Sequence, residues 1–250
     1  MKYRSALFTA GIVVVVALTS SFASRAALGL VVDSCKLNFA LTGSTFPCLK
    51  MVHPPQPLAA YAVLREPAHK ERTILTPLAD VSGIEDPRLV AGDGPNYFDY
   101  AWNERSIVLN DYPQKDSWQD AALAINAEAN RTQDHLHIHI GCISPPLKSA
   151  LNSHAGDIDA LTFRRIRTKL RWRSFFVKFY KADNLSDINP FQLVADGVAG
   201  ARADMQDVAI GVVGASRGDG QRGFYILAQI NGDDDSYGSA EDLLDAKCRR

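Results

Sequence analysis

Three of the chain's six histidines, His135, His137 and His139, stand at alternate positions within five residues, in the stretch "TQDHLHIHIGC". A β-strand sends successive side chains to opposite faces, so the three imidazoles share one face while Leu136, Ile138 and Ile140 share the other. The aliphatic face belongs to a core. A sheet face open to water ordinarily carries Thr, Lys or Glu, and half of all the histidines in one short window argues against a chance His-rich surface. One metal ion accounts poorly for all three. Same-face neighbours lie ~7 Å apart at Cα and the outer pair ~13 Å, too far to share an ion with bonds near ~2.1 Å. No second His-rich or His-Glu-x-x-His motif supplies further ligands, so no metal is expected. Nucleophilic catalysis at phosphorus uses all three: a neutral imidazole attacks near pH 7, and its neighbours fix its tautomer, donate to phosphoryl oxygens and assist the leaving group. His53, His69 and His154 stand alone and carry no site.

The elements that must position this row follow from periodicity. The run "WQDAALAIN" (118–126) reads as a strand, "AEANRT" as a turn and "HLHIHIGCI" (135–143) as the next strand. Upstream, 59–66 and 72–81 form a hairpin. Spacings of three and four over 97–112, with Asn96 as cap, predict a helix. "PPLKSALN" (145–152) starts a helix with prolines in its first turn. Strands are expected at 175–182, 207–216 and 223–230, the last two joined by "RGDGQR", and the acidic "NGDDDSYGSAEDLLDAK" leads into a last short helix. Strands without regular β-α alternation predict an α+β fold with a mainly antiparallel sheet and flanking helices.

The whole chain has 250 residues, 46% of them hydrophobic, with 27 basic against 28 acidic side chains. That balance gives no reason to expect nucleic acid as partner, so any anion site is local. After Lys2 and Arg4, Ser5 to Ser24 run without a charge, which as a helix spans ~30 Å, enough to cross a bilayer. Residues 1–28 are therefore expected to be a cytoplasmic start and one N-terminal transmembrane helix. A retained anchor is favoured over a cleaved signal, and the positive-inside rule places the rest in the periplasm of a bacterial inner membrane. Residues 29–57, broken by "STFPC" and "HPPQP", read as a stalk, and 58–250 as the catalytic domain. The four cysteines contain no Cys-x-x-Cys pair and suit disulfides in an oxidising compartment. Of three possible connectivities, Cys35 with Cys48 and Cys142 with Cys248 is favoured.

"HLHIHIG" resembles the His-φ-His-φ-His-φ-φ motif of the histidine-triad superfamily of nucleotide hydrolases and transferases. The wider segment "AINAEANRTQDHLHIHIGCISP", with the apolar N-terminus, "PNYFDYAW" and a cysteine near the C-terminus, is similar to the membrane-anchored CDP-diacylglycerol pyrophosphatase branch, over about Cys35 to Cys248. The resemblance implies a histidine-triad-like fold and hydrolysis of CDP-diacylglycerol to CMP and phosphatidate, in phospholipid metabolism, without a cofactor. It implies that His137 is the nucleophile, forming a nucleotidyl-histidine, with His135 and His139 as orienting and phosphate-contacting neighbours. Asn126 and Gln133 match polar positions that contact nucleotide and phosphate, although Gln133 lies closer to the first histidine than in soluble members. Arg131, in the same turn, is expected on chemical grounds to clamp the pyrophosphate.

The stretch "FRRIRTKLRWRSFFVKF" (163–179) interleaves arginines and lysines with aromatics, a composition suited either to an anionic membrane surface or to a solvated basic face. Two other functions fit parts of the pattern: an exported hydrolase of soluble nucleotide diphosphates and an anchored periplasmic metal-binding protein. The oligomeric state is left open by the sequence.

Overall fold

The computed structural model describes residues 25–66, 72–112, 114–168, 170, 173–218, 220–232 and 238–248. The apolar segment Ser5–Ser24 expected to span a membrane lies outside them, and among the described residues no helix is long and apolar enough to cross one. In chain order these residues form α1 (Ala27–Thr42), β1 (Lys50–Val52), β2 (Tyr61–Arg65), β3 (Thr73–Pro77), α2 (Tyr97–Asn103), α3 (Ser106–Leu109), β4 (Ala121–Ile125) and β5 (Ile138–Ile143). There follow α4 (Pro145–Ser153), β6 (Arg164–Arg167), β7 (Ser174–Lys181), α5 (Pro190–Gly197), β8 (Val208–Ser216), β9 (Arg222–Ile230) and β10 (Leu244–Asp245).

The strands make one antiparallel sheet in the order β1-β2-β3-β5-β4-β8-β9-β7-β6, with β10 paired to the end of β5. The α+β class with helices flanking an antiparallel sheet is thus the observed architecture. On one face, Phe98 and Trp102 of α2 and Phe191 and Val194 of α5 pack on Leu123, Ile138, Ile140 and Ile226. The other face carries two separate apolar clusters. Leu147 and Leu151 of α4 lie over Val177, Val213 and Leu227. Leu28, Val32 and Cys35 of α1 lie over Ala62, Leu64 and Ile74. The register pairs His139 with Ile74 on one side and Ala124 on the other, so it stands at the seam between the two clusters.

The structure departs from the sequence reading in four places. Where irregular chain was expected over 29–57, α1 and β1 form, and β1 pairs with β2. The prolines that suggested a stalk all follow Thr42, while Leu28, Val32 and Cys35, at spacings of four and three, give the preceding segment a buried face. Asn96 does cap its helix, its Oδ1 accepting from the Asp99 N–H, but the helix breaks at Glu104 and Arg105. Glu104 is drawn to Tyr61 Oη and Lys50 Nζ, and Arg105 takes the Trp102 carbonyl at 2.7 Å. The strand expected from residue 135 starts only at Ile138. Finally, α5 and β6 arise where no element was assigned.

Both favoured disulfides are present, Cys35 with Cys48 and Cys142 with Cys248. The second ties the C-terminal segment to β5, the strand that carries His139.

Candidate active site

His135 and His137 lie outside the ladder: pairing with β3 stops at Leu75 opposite Ile138, although β3 itself runs on beside β2 to Pro77, and pairing with β4 stops at Ala124 opposite His139. Other groups hold this extended stretch. The Leu136 N–H donates to Val81 O and its carbonyl accepts from Thr76 Oγ1 at 2.7 Å. Leu136, Ile138 and Ile140 enter the large core, as the alternation requires. All three histidines are buried.

The tautomers follow from their partners. His137 Nδ1 lies 2.7 Å from the His135 carbonyl oxygen, which can only accept, so Nδ1 carries the proton and Nε2 keeps the lone pair. His135 Nε2 likewise donates to Pro77 O at 3.0 Å. Burial, and then the neighbouring His139, pull the His137 pKa down to about 4, against the weaker upward pull of the His135 carbonyl, Glu241 and Glu66. His137 is therefore a neutral imidazole near pH 7 with its Nε2 lone pair unprotonated. Its ring meets that of His139 edge-on, 5.0 Å between centroids.

Around His139 the fold assembles groups that the sequence reading missed. Its Nδ1 is 3.3 Å from Glu66 Oε2, and its buried Nε2, without a hydrogen-bond partner, lies 3.5 Å from Glu241 Oε1. Arg72, itself buried, lies 3.8 Å from Glu66 and 3.4 Å from Glu241, offsetting part of the carboxylate charge beside the triad. Among the described residues, Glu66, His139 and Glu241 offer ligand atoms within 4.8 Å of one another and could hold a metal ion, though such an ion would stand beside the Arg72 guanidinium. No local pattern marks these groups: Glu66 ends a hairpin strand and Glu241 sits in an acidic tail.

The candidate polar residues are placed as follows. Asn126 accepts from Ser239 Oγ and the Ala240 N–H and donates to Glu241 Oε1 at 3.0 Å, so it sets the position of Glu241. Gln133 Oε1 accepts the Leu28 N–H at the start of α1. The Arg131 guanidinium binds Glu85 at 2.6 Å and Asp134 at 3.1 Å, and Gly83 leaves the space it fills, since a Cβ there would lie 1.9 Å from Nη1. In the basic stretch, Arg173 is fully buried and bonded to Gln229, Ser239 O and Asp242, while Arg164 stays exposed beside Asp159. Lys169 and Arg171 lie outside the described residues. A cavity of about 380 Å³, walled by Arg72, Ser144, Pro145, Ser239 and Asp242, opens at Glu241.

Comparison with known proteins decides which family carries this site. The family model for CDP-diacylglycerol pyrophosphatase matches residues 23–250. The chain belongs to that family. A CDP-diacylglycerol pyrophosphatase of Yersinia pestis is 30% identical over 258 aligned positions, covering 100% of this chain and 95% of the relative. Among solved structures, yeast Ap4A phosphorylase Apa2 superposes with a TM-score of 0.37 at 13% identity, over 67% of this chain and 55% of that one. The matched region of the family begins just ahead of α1 and takes in the triad, both disulfides, Glu66, Arg72 and Glu241.

Proposed function

We propose that the chain hydrolyses CDP-diacylglycerol to CMP and phosphatidate through a nucleotidyl adduct on His137, in the manner of histidine-triad enzymes. The observation that carries this is the state of His137: neutral, with Nδ1–H held by the His135 carbonyl and the Nε2 lone pair unprotonated. Nε2 attacks the cytidine-side phosphorus, an N–P bond forms, and the bridging P–O bond breaks to release phosphatidate. Water then attacks the same phosphorus. The N–P bond breaks, CMP leaves, and the water's proton passes to solvent by way of the imidazole. His139, edge-on to the nucleophile and held between Glu66 and Glu241, borders the space the phosphoryl group must enter, and His135 orients the nucleophile through its carbonyl.

Asn126 acts as a positioning residue through Glu241, Gln133 through α1, and Arg131 through the loop it ties to the turn before the triad. Family membership supports the substrate. The uncharged run Ser5–Ser24 behind Lys2 and Arg4, together with two disulfides, supports a single-pass protein of a bacterial inner membrane whose catalytic part faces the periplasm.

The experiment is mass spectrometry of protein quenched during turnover. A CMP adduct on the His137 peptide is expected, and hydrolysis that persists in His137→Asn overturns the mechanism.

A further inference from the structure

Seven large hydrophobic side chains are strongly exposed among the described residues, and six of them fall between positions 30 and 49. On α1, Leu30 (62% exposed), Leu37 (61%) and Leu41 (75%) lie within roughly 40° of one another around the helix axis, opposite the buried Leu28, Val32 and Cys35. The disulfide loop that follows adds Phe46 (73%) and Leu49 (46%). The charges of α1, Asp33 and Lys36, pair with each other at 2.7 Å. A helix apolar on its core side and again on its outer side calls for a second apolar partner.

We propose that this outer stripe of α1, with Phe46 and Leu49, docks into a phospholipid leaflet and so sets the triad beside the lipid-borne substrate. Three observations choose a lipid surface over another occupant. The uncharged segment Ser5–Ser24 ends three residues before Ala27, where α1 begins, so the apolar stripe continues an apolar sequence. The inner side of the same helix meets the site: a Cβ on Gly29 would lie 3.8 Å from His135 Nδ1, the Leu28 N–H is bound by Gln133, and Arg25 pairs with Asp134. A diacyl substrate held in the leaflet would then have its headgroup within reach of the triad, a step that rests on the substrate reading above. The basic β6-β7 hairpin lies at the opposite end of the strand order from β1 and β2, away from this helix. With its own charges paired, the stripe needs apolar burial and not anionic lipid, so phosphatidylcholine suffices.

Because all four native cysteines are in disulfides, a single label can be placed in the full chain. Leu37→Cys carrying an environment-sensitive dye, reconstituted in phosphatidylcholine vesicles, should shift to the blue and be quenched by brominated acyl chains. The same dye on Ala203→Cys should not. A dye on residue 37 that stays aqueous, or that is shielded only by a second copy of the chain, overturns the proposal. In parallel, Leu30→Ser/Leu37→Ser/Leu41→Ser should lower hydrolysis of vesicle-borne CDP-diacylglycerol about tenfold while leaving a water-dissolved short-chain analogue unchanged. No change on either substrate, or an equal fall on both, also overturns it. If the unsubstituted chain hydrolyses neither substrate, it is the catalytic reading that fails, and the dye measurement still decides the docking.

Discussion

The carbonyl oxygen of His135 lies 2.7 Å from His137 Nδ1, so the first member of the histidine row fixes the tautomer of the second through its backbone rather than its ring. A backbone acceptor cannot be lost by substituting the side chain. His135→Ala should therefore keep the His137 tautomer and cost activity less than His139→Ala, whereas His137→Asn should lower kcat by about a thousandfold or more with the fold intact. Single-turnover kinetics on the three variants, with circular dichroism as control, check this order.

The low pKa of His137 couples the site to stability. The folded value, about 4, lies below the ordinary 6.5, so between these the unfolded chain binds a proton that the fold excludes, and stability rises with pH. Moving from pH 7 to pH 4 should cost roughly 3 kcal/mol through this group, and His137→Asn should remove that part of the dependence. Denaturant titrations of both proteins across the window measure the difference, while kcat/KM should fall with an apparent pKa near 4.

Glu241 reaches the triad from the far end of the chain, and Asn126 holds it there. Glu241→Gln should reduce kcat by roughly tenfold to a hundredfold with little change in KM, as expected for a group acting through His139. Asn126→Ala strands the buried Ala240 N–H and should cost about 1–3 kcal/mol of stability along with part of the same activity. An Asn126→Ala protein with full kcat would show that Glu241 needs no such support.

Arg131 is occupied by carboxylates. Replacing it with Met leaves Glu85 without its guanidinium partner, while Asp134 keeps Arg25, and should destabilise the protein by about 1–2 kcal/mol, less than a fully buried pair because Glu85 keeps contact with water. If its guanidinium instead binds pyrophosphate, KM rises far more than the melting temperature falls. Steady-state kinetics and thermal melts on one preparation separate the two.

The Cys142–Cys248 bridge closes a loop of 106 residues and fastens β10, just beyond Glu241, to β5. Cys142→Ser/Cys248→Ser should lose about 3–5 kcal/mol by the loop-entropy argument, and kcat should fall with the loosened C-terminal segment. Chemical denaturation under oxidising conditions is the measurement.

What the sequence determined by itself is what local periodicity encodes. The two-residue alternation of His135 to Ile140 assigns imidazoles to one face and aliphatics to the core, and it survives although the hydrogen-bonded strand begins only at Ile138. The hairpins, the Asn96 cap and the prolines opening α4 were readable for the same reason: each depends on residues within a few positions of one another. Tertiary structure alone decided the rest. Glu66, Arg72 and Glu241 converge on His139 through antiparallel pairings and a disulfide that join distant parts of the chain, and no spacing announces them. Whether Arg131 and Gln133 face a substrate or brace a helix and a loop depends on which partners the fold brings within hydrogen-bond distance. Sequence neighbours do not set that.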